Sequence, residues 1–158
     1  MTAFFKKLSI CIPSYNRSSF IPALLQSILA NQEDLLQKVE VVLVDNASQD
    51  ATKELMQAYP WVRYKRLEKN IGPDLCIVES IKEASGEYCW LMGDDDILEL
   101  KGLEAVLDSL EKYPFISGMT LHRVAYDALL ENKWMEKGSI IRKKDQLFSS
   151  KNEAIVEL

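Results

Sequence analysis

Apolar residues recur along this chain in two rhythms, short unbroken runs and longer stretches with apolar positions three and four apart, and the two alternate. Leu8 to Ile12 is a short run, read as a strand stopped by Pro13. Phe20, Ile21, Leu24, Leu25, Ile28 and Leu29 then recur at helical spacing. Val39 to Val44 is almost continuously apolar, the pattern of a strand covered on both faces. It ends at Asp45-Asn46-Ala47-Ser48, and Ser48 is read as the cap of a helix reaching Tyr59, before Pro60. A more polar strand, Val62 to Leu67, leads to Gly72-Pro73, which opens a helix running to Ala84 with Gly86 as its stop. The fourth strand, Glu87 to Met92, contains the run Tyr88-Cys89-Trp90-Leu91-Met92 and is expected to be buried. A helix from Leu100 to Tyr113 follows, ending at Pro114.

Strands and helices alternating at this spacing predict an α/β fold with a mostly parallel, doubly wound, Rossmann-like sheet and helices on both faces. Past Pro114 the pattern weakens. Phe115 to Ala125 and Gly138 to Arg142 read as strands, and Ser150 with Glu153 forms a capping-box pattern opening a helix from Ser150 to Leu158.

At 158 residues, with 47% hydrophobic and 27% charged positions, the composition is that of one globular domain. The net charge of −5, with no basic block longer than Arg142-Lys143-Lys144, argues against a nucleic-acid partner. No apolar run approaches the roughly 20 residues a membrane span needs, and Met1 to Lys7 lacks the long apolar core of an export signal. A cytoplasmic location is expected. Cys11, Cys76 and Cys89 lie in apolar patterns without metal-ligand spacing and are read as buried reduced thiols.

The strand ends carry the chemistry. Ser14, Tyr15, Asn16 and Arg17 follow the first strand, Asp45 and Asn46 the second, Asn70 and Asp74 the third, and Gly93-Asp94-Asp95-Asp96 the fourth. In a parallel sheet all four turns lie on one edge, where open α/β sheets bind ligands. Three adjacent carboxylates raise one another's pKa unless a cation sits among them, and carboxylate oxygens suit Mg²⁺ and Mn²⁺, with phosphate oxygens completing the shell. A plain helix cap is the alternative, for which one carboxylate suffices. There is no G-x-x-x-x-G-K-[ST] loop, and the first turn, Pro13 to Arg17, is not a G-x-G-x-x-G fingerprint. Phosphatases and receiver-type domains place a key aspartate directly after the first strand, and this turn has none. Trp61 and Trp90 are read as core residues, His122 as structural, and Trp134 as a candidate for acceptor or partner contact.

Ile10 to Arg17, Val42 to Asp50, Asn70-Ile71-Gly72 and Gly93 to Asp96, in that order and spacing, resemble the motifs of glycosyltransferase family 2, the inverting nucleotide-sugar glycosyltransferases of GT-A fold. Asn70 to Asp74 together with Trp90 to Asp96 is most similar to the abequosyltransferase-like bacterial subgroup, which builds surface polysaccharide such as O-antigen or capsule. The resemblance covers Leu8 to Pro114. It implies that Pro13, Tyr15 and Arg17 line a nucleotide pocket and that Asp45 contacts the base. It places Asn70, Gly72 and Asp74 on the base and ribose side. It implies that Asp94, Asp95 and Asp96 hold Mn²⁺ or Mg²⁺ and meet the nucleotide sugar. Gly93 stands where the family's first metal-motif aspartate usually is, while Asp94 to Asp96 satisfy Asp-x-Asp directly, so the register of metal and ribose contacts stays open.

The resemblance further implies a nucleoside diphosphate sugar donor and a saccharide or lipid-linked saccharide acceptor. It implies a catalytic base in a downstream acceptor half. Asp127, Glu131, Glu136, Asp145, Glu153 and Glu157 stand in no recognisable context, so the base is expected beyond Leu158. The chain is then one GT-A domain, the N-terminal part of a longer enzyme, with residues 8–114 the donor- and metal-binding half and 115–158 the start of the acceptor side. Peripheral association with the inner face of the cytoplasmic membrane through that further part is expected. The alternative is a non-catalytic nucleotide-binding or interaction module of the same fold. Asp45→Ala is expected from sequence to weaken nucleotide binding and leave the fold intact.

Overall fold

A computed structural model describes residues 6–31, 37–121, 124–126 and 133–134. The chain divides into two compact units, Met1–Phe115 and Ile116–Leu158. The first contains β1 (Leu8–Ser14), α1 (Ile21–Leu29), β2 (Val39–Asp45), α2 (Thr52–Leu55) prolonged by a 3₁₀ turn (Met56–Ala58), β3 (Arg63–Arg66), α3 (Pro73–Lys82), β4 (Tyr88–Leu91) and α4 (Gly102–Lys112). Its four strands are all parallel, in the order β3-β2-β1-β4.

That order explains the two helical layers. From β1 the chain steps outward to β2 and β3, then returns past them to the far side of β1. Right-handed crossovers therefore put α1 and α2 on one face and α3 on the other. Cys76 of α3 packs on Val42 and Val44, which fixes the face α3 covers. The opposite face carries Leu8, Ile10, Ile12, Val41 and Leu43, all buried, beneath α1 with its buried Ile21, Leu24, Leu25 and Ile28. α4 lies beside α1. The Leu98 N–H donates to Ser27 Oγ at 2.9 Å, and the Leu103 N–H donates to Asn31 Oδ1 at 3.3 Å, which satisfies one of the orphan N–H groups at the start of α4. The expected α/β, doubly wound fold is present.

β1 runs through Pro13 instead of stopping before it. Odd-numbered peptide groups of β1 face β4, since the Cys11 carbonyl accepts from Met92 N–H, and even ones face β2, since the Ser14 carbonyl accepts from Asn46 N–H. The N–H that Pro13 lacks would point to the β4 side, where strand pairing already ends at Cys11 and Leu91, so the sheet loses nothing.

Several other expectations need correction. Ser48 does not cap α2, which begins at Thr52. β4 is not buried through its length: Tyr88 and Trp90 are half-covered while Cys89 and Leu91 are exposed, because β4 is the edge of the sheet among the described residues. Cys89 is therefore an exposed thiol, unlike Cys11 and Cys76. Trp61 is at the surface, edge-to-face with Tyr59. Gly86 does not end α3, which stops at Lys82; a Cβ there would lie 2.8 Å from the backbone of Leu8 and Ser9, so close passage over β1 demands glycine.

In the second unit, β5 (Ala125–Tyr126) pairs antiparallel with β6 (Lys133–Trp134). Residues 116–121 form no strand, and among the described residues of the strand expected over Phe115 to Ala125 only Ala125 lies in one. His122, Gly138 to Arg142 and Ser150 to Leu158 lie outside the described residues. No helix among the described residues is long and apolar enough to cross a membrane.

Candidate functional site

The loops leaving β1 and β2 are bound into one body. Asn16 (φ 54°) and Ala47 (φ 63°) both adopt the left-handed conformation, which is costly for Ala and persists only where surrounding bonds enforce it. The Asn16 N–H donates to Ser48 Oγ at 2.9 Å, the Gln49 N–H donates to Asn16 Oδ1 at 2.7 Å, and the Ser18 N–H donates to Asp50 Oδ2 at 2.9 Å. Asp50 Oδ1 also accepts from the Thr52 hydroxyl at 2.6 Å and the Thr52 N–H at 3.1 Å, so Asp50, one residue before the N-cap Ala51, satisfies the first N–H of α2 in place of Ser48. Burial would raise the Asp50 pKa, but the donors from Thr52 and Ser18 outweigh it and hold it down to about 2. Asp50→Ala should cost about 1 kcal/mol at neutral pH, the worth of a cap. With the folded pKa depressed, that stability is present above the unfolded value near 3.9 and vanishes as pH falls to about 2. Urea denaturation of both chains at pH 7 and pH 2.5 should show the gap closing in acid.

Asp45 ends β2 with its carboxylate fully buried. Oδ1 accepts from the Ser48 N–H at 2.7 Å; Oδ2 accepts from the Tyr64 hydroxyl and from Arg66, each at 2.7 Å. Burial pushes its pKa up, yet the donors from Ser48, Tyr64 and Arg66 hold it below the usual carboxylate range. Tyr64 is pushed up, by burial first and by Asp45 second. The expectation that Asp45 supports no part of the fold is therefore incorrect: it joins β2, β3 and the loop after β2.

Asn46, also buried, bridges β2 to the segment before α3. Its Oδ1 accepts from the Ile71 N–H at 2.9 Å, and its Nδ2 donates to the Gly72 carbonyl at 3.2 Å and to Asn70 Oδ1 at 3.1 Å. Asn70 Oδ1 also accepts from the Gly72 N–H at 2.8 Å. Backbone groups that can only donate or only accept thus fix both amide orientations, and the Asn70 NH₂ takes no partner among the described residues. Gly72, at φ +85°, makes the turn that a side chain would strain. Asp74 is exposed in the first turn of α3 and joins none of these bonds.

The acidic turn fans out from the end of β4. Asp94 Oδ2 accepts from the Ser14 hydroxyl at 2.7 Å, Asp95 Oδ2 meets Arg17 Nη1 at 3.5 Å, and Asp96 Oδ2 accepts from the Gly93 N–H at 2.9 Å. Burial raises the Asp94 pKa, and Asp95 adds to this, against the Ser14 hydrogen bond and the charge of Arg17. The helix-cap alternative fails here, because α4 begins only at Gly102. No group of three or more carboxylate, thiol or imidazole ligands that could hold a metal forms among the described residues, so Asp94, Asp95 and Asp96 do not build a closed protein cage as a trio. Each nevertheless uses one carboxylate oxygen within the chain. That donor set fits a hard divalent ion that takes one or two carboxylates and fills its shell with phosphate oxygens and water.

Ser14, Asp45 and Arg66 are register partners on adjacent strands and so share one face of the sheet. With Asp94 bound to Ser14, they form a row along the carboxyl edge about 14 Å long, three strand spacings, cationic at Arg66 and acidic at Asp94. Pro13 lies half-buried in β1, and Tyr15, 39% exposed, follows it beside the row. Arg17 stacks over Phe20 at 5.2 Å. Sequence reasoning missed Tyr64 and Arg66; the available signal was two polar residues spaced by two on a short strand, which assigns them one face and nothing more. A cleft of about 380 Å³ opens among Lys6, Val39, Glu40, Val41, Trp61 and Arg63, near the amino ends of β2 and β3, and contains none of these groups. Asp127, Glu131, Glu136, Asp145, Glu153 and Glu157 lie outside the described residues.

Residues 9–156 match the family model described as Glycosyl transferase family 2. The abequosyltransferase RfbV of Salmonella typhimurium is 40% identical over 111 residues, which cover 65% of this chain and 33% of that protein. The crystal structure of residues 1–349 of Staphylococcus aureus TarS in complex with UDP is similar with a TM-score of 0.63 at 25% identity, covering 74% of this chain and 38% of that one. A mannosyltransferase of Pyrobaculum calidifontis, solved with GDP-Man and Mn²⁺, shares the fold with a TM-score of 0.56 at 22% identity, over 68% of this chain and 33% of its own. The chain thus spans well under half the length of these relatives.

Proposed function

This chain belongs to glycosyltransferase family 2, and from that premise we propose that it is the donor-binding part of an enzyme that moves a sugar from a nucleoside diphosphate to a hydroxyl acceptor with inversion. The observation that supports the proposal is the row from Arg66 through Asp45 and Ser14 to Asp94, cationic at one end and acidic at the other, a polarity suited to a base near Arg66 and a metal-bound diphosphate near Asp94. Complexes of relatives with UDP and with GDP-Man and Mn²⁺ support it. Residues 8–114 form the donor half and 115–158 open the acceptor side.

Asp94, Asp95 and Asp96 would supply one or two ligands to Mn²⁺ or Mg²⁺, which when bound neutralises charge on the diphosphate leaving group. Ser14 fixes Asp94, and Arg17 holds Asp95 while bringing positive charge to the phosphates. Asn70 and Gly72 border the base and ribose, with Pro13 and Tyr15 lining the pocket between. A saccharide or lipid-linked saccharide hydroxyl, deprotonated by a carboxylate outside the described residues, attacks the anomeric carbon from the face opposite the leaving group. The likeness to a bacterial abequosyltransferase supports sugar transfer, and we extend that role to surface polysaccharide synthesis in the cytoplasm at the inner face of the membrane.

Thermal melting with UDP, GDP, CDP and dTDP, each with and without Mn²⁺, tests the donor site. At 100 times its Kd the matching nucleotide should stabilise the chain by about 2.7 kcal/mol. No shift with any nucleotide would remove the proposal, and a retained anomeric configuration in the product of the full-length enzyme would remove inversion.

A further inference from the structure

Arg66 closes one end of the row described above, and its geometry exceeds what its pairing with Asp45 needs. Its Nη1 spends one N–H on Asp45 Oδ2 at 2.7 Å, and its side chain remains 35% exposed. A guanidinium carries five N–H groups in a rigid fork. Apart from Asp45 and the neighbouring Tyr64 hydroxyl, no described residue takes them up. The side that binds Asp45 is held by a buried carboxylate that Ser48 and Tyr64 also fix, so the guanidinium plane cannot swing freely.

Its position matters as much as its anchoring. Arg66 is the last residue of β3, in register with Asp45 and so on the face of the sheet that carries Ser14 and, through it, Asp94. It stands at the end of the row farthest from the acidic turn. A ligand whose phosphates lie at Asp94 to Asp96 and whose length follows the strand ends brings its base, not its phosphates, towards Arg66. The polarity there is one-sided. Asn70, its Oδ1 taken up by Gly72 and Asn46, keeps an amide NH₂ with no partner among the described residues. Asp45, the carboxylate closest to Arg66, is buried and engaged through both oxygens.

Building on the donor site proposed above, we infer that Arg66 is a base-reading residue, held by Asp45 so that its remaining N–H groups meet acceptor atoms, carbonyl oxygens or ring nitrogens, on the edge of the nucleobase. Asp45 then also serves as a positioning residue that acts through Arg66. A base end lined with donors binds an edge that carries acceptors and leaves a donor edge unsatisfied, which gives selectivity among nucleotides as well as affinity.

Calorimetric titration of the unaltered chain and of Arg66→Lys, with Mn²⁺ present, separates the possibilities. The probes are UDP, CDP, GDP and dTDP, with inorganic pyrophosphate as the ligand that lacks a base. Lysine keeps the charge beside Asp45 and loses the fork. The expected result is that Arg66→Lys binds the preferred nucleoside diphosphate at least about tenfold more weakly, loses discrimination among the four, and binds pyrophosphate as before. Unchanged nucleotide affinity, or an equal loss for nucleotide and pyrophosphate, overturns the inference. If Arg66→Lys melts early, the double variant Asp45→Asn with Arg66→Met removes the buried charge together with its partner, and the same two ligands decide the outcome. An unaltered chain that binds pyrophosphate but none of the four nucleotides overturns the donor-site reading itself, and this inference with it.

Discussion

Asp45→Ala is expected to lose about 2–3 kcal/mol of folding stability, because it strands three donors at once. The Ser48 N–H, the Tyr64 hydroxyl and the Arg66 guanidinium all end on a carboxylate that is fully buried. Breaking a buried pair by deleting one member costs more than the pair contributes, since the remaining group keeps its desolvation penalty. Arg66 is about a third exposed and can turn towards water, which places the estimate below the range for a pair buried on both sides. The folded pKa of Asp45 lies below its unfolded value, so the contribution is present above about pH 4 and is lost as pH falls through the folded pKa. Urea titrations at neutral and acid pH should find the variant and the parent converging in acid. Equal stability at pH 7 would show that Asp45 is not the pin holding β2 to β3.

Replacing Asp94, Asp95 and Asp96 together with Asn is expected to do the reverse, abolishing metal-dependent binding while sparing the fold. Asn retains an acceptor oxygen for the Ser14 hydroxyl and for the Gly93 N–H, the two bonds that shape the turn. It removes three negative charges, one of which, on Asp94, already has its pKa raised by burial and by Asp95. A carboxyl with a raised folded pKa binds protons better in the folded state. Stability therefore falls as pH climbs from the unfolded value near 3.9 through the folded one. The triple variant should escape that loss and melt no lower than the parent at neutral pH without metal. Its affinity for a nucleoside diphosphate with Mn²⁺ should drop by at least about 100-fold, or 2.7 kcal/mol. Single substitutions then resolve the register, with Asp96 expected as metal ligand and Asp94 nearer the ribose. Unchanged Mn²⁺-dependent affinity in the triple variant would end the metal assignment.

The order of strands and helices was readable because apolar periodicity is a local property. Val39 to Val44 can only be a strand with both faces covered, and Ile21 to Leu29 only a helix with one apolar face, whatever surrounds them. The carboxyl edge was readable for the same reason, since every polar cluster followed an apolar run. Boundaries were less so. Pro13 looked like a stop because a proline in isolation removes a donor; only the early end of β4 made that donor unnecessary. Cys89 and Leu91 looked buried because β4 reads as apolar, and an apolar run does not reveal that its strand lies at an edge.

By itself, the sequence determined the α/β class, the order of elements, the parallel sheet and the edge on which ligand chemistry gathers, since each follows from residues within one element or from the rule that parallel strands present their turns together. The roles of single side chains were decided only in three dimensions. Asp45 meets Tyr64 and Arg66 from a neighbouring strand, Ser14 meets Asp94 across eighty positions of chain, and Asp50, not Ser48, takes up the first N–H of α2 while reaching Ser18 as well. A hydrogen bond depends on distance and direction to a partner that strand register brings near, and no local pattern encodes that register. Hence the chain reveals which groups are available at the edge, and packing alone selects which are spent on the fold and which remain for a ligand.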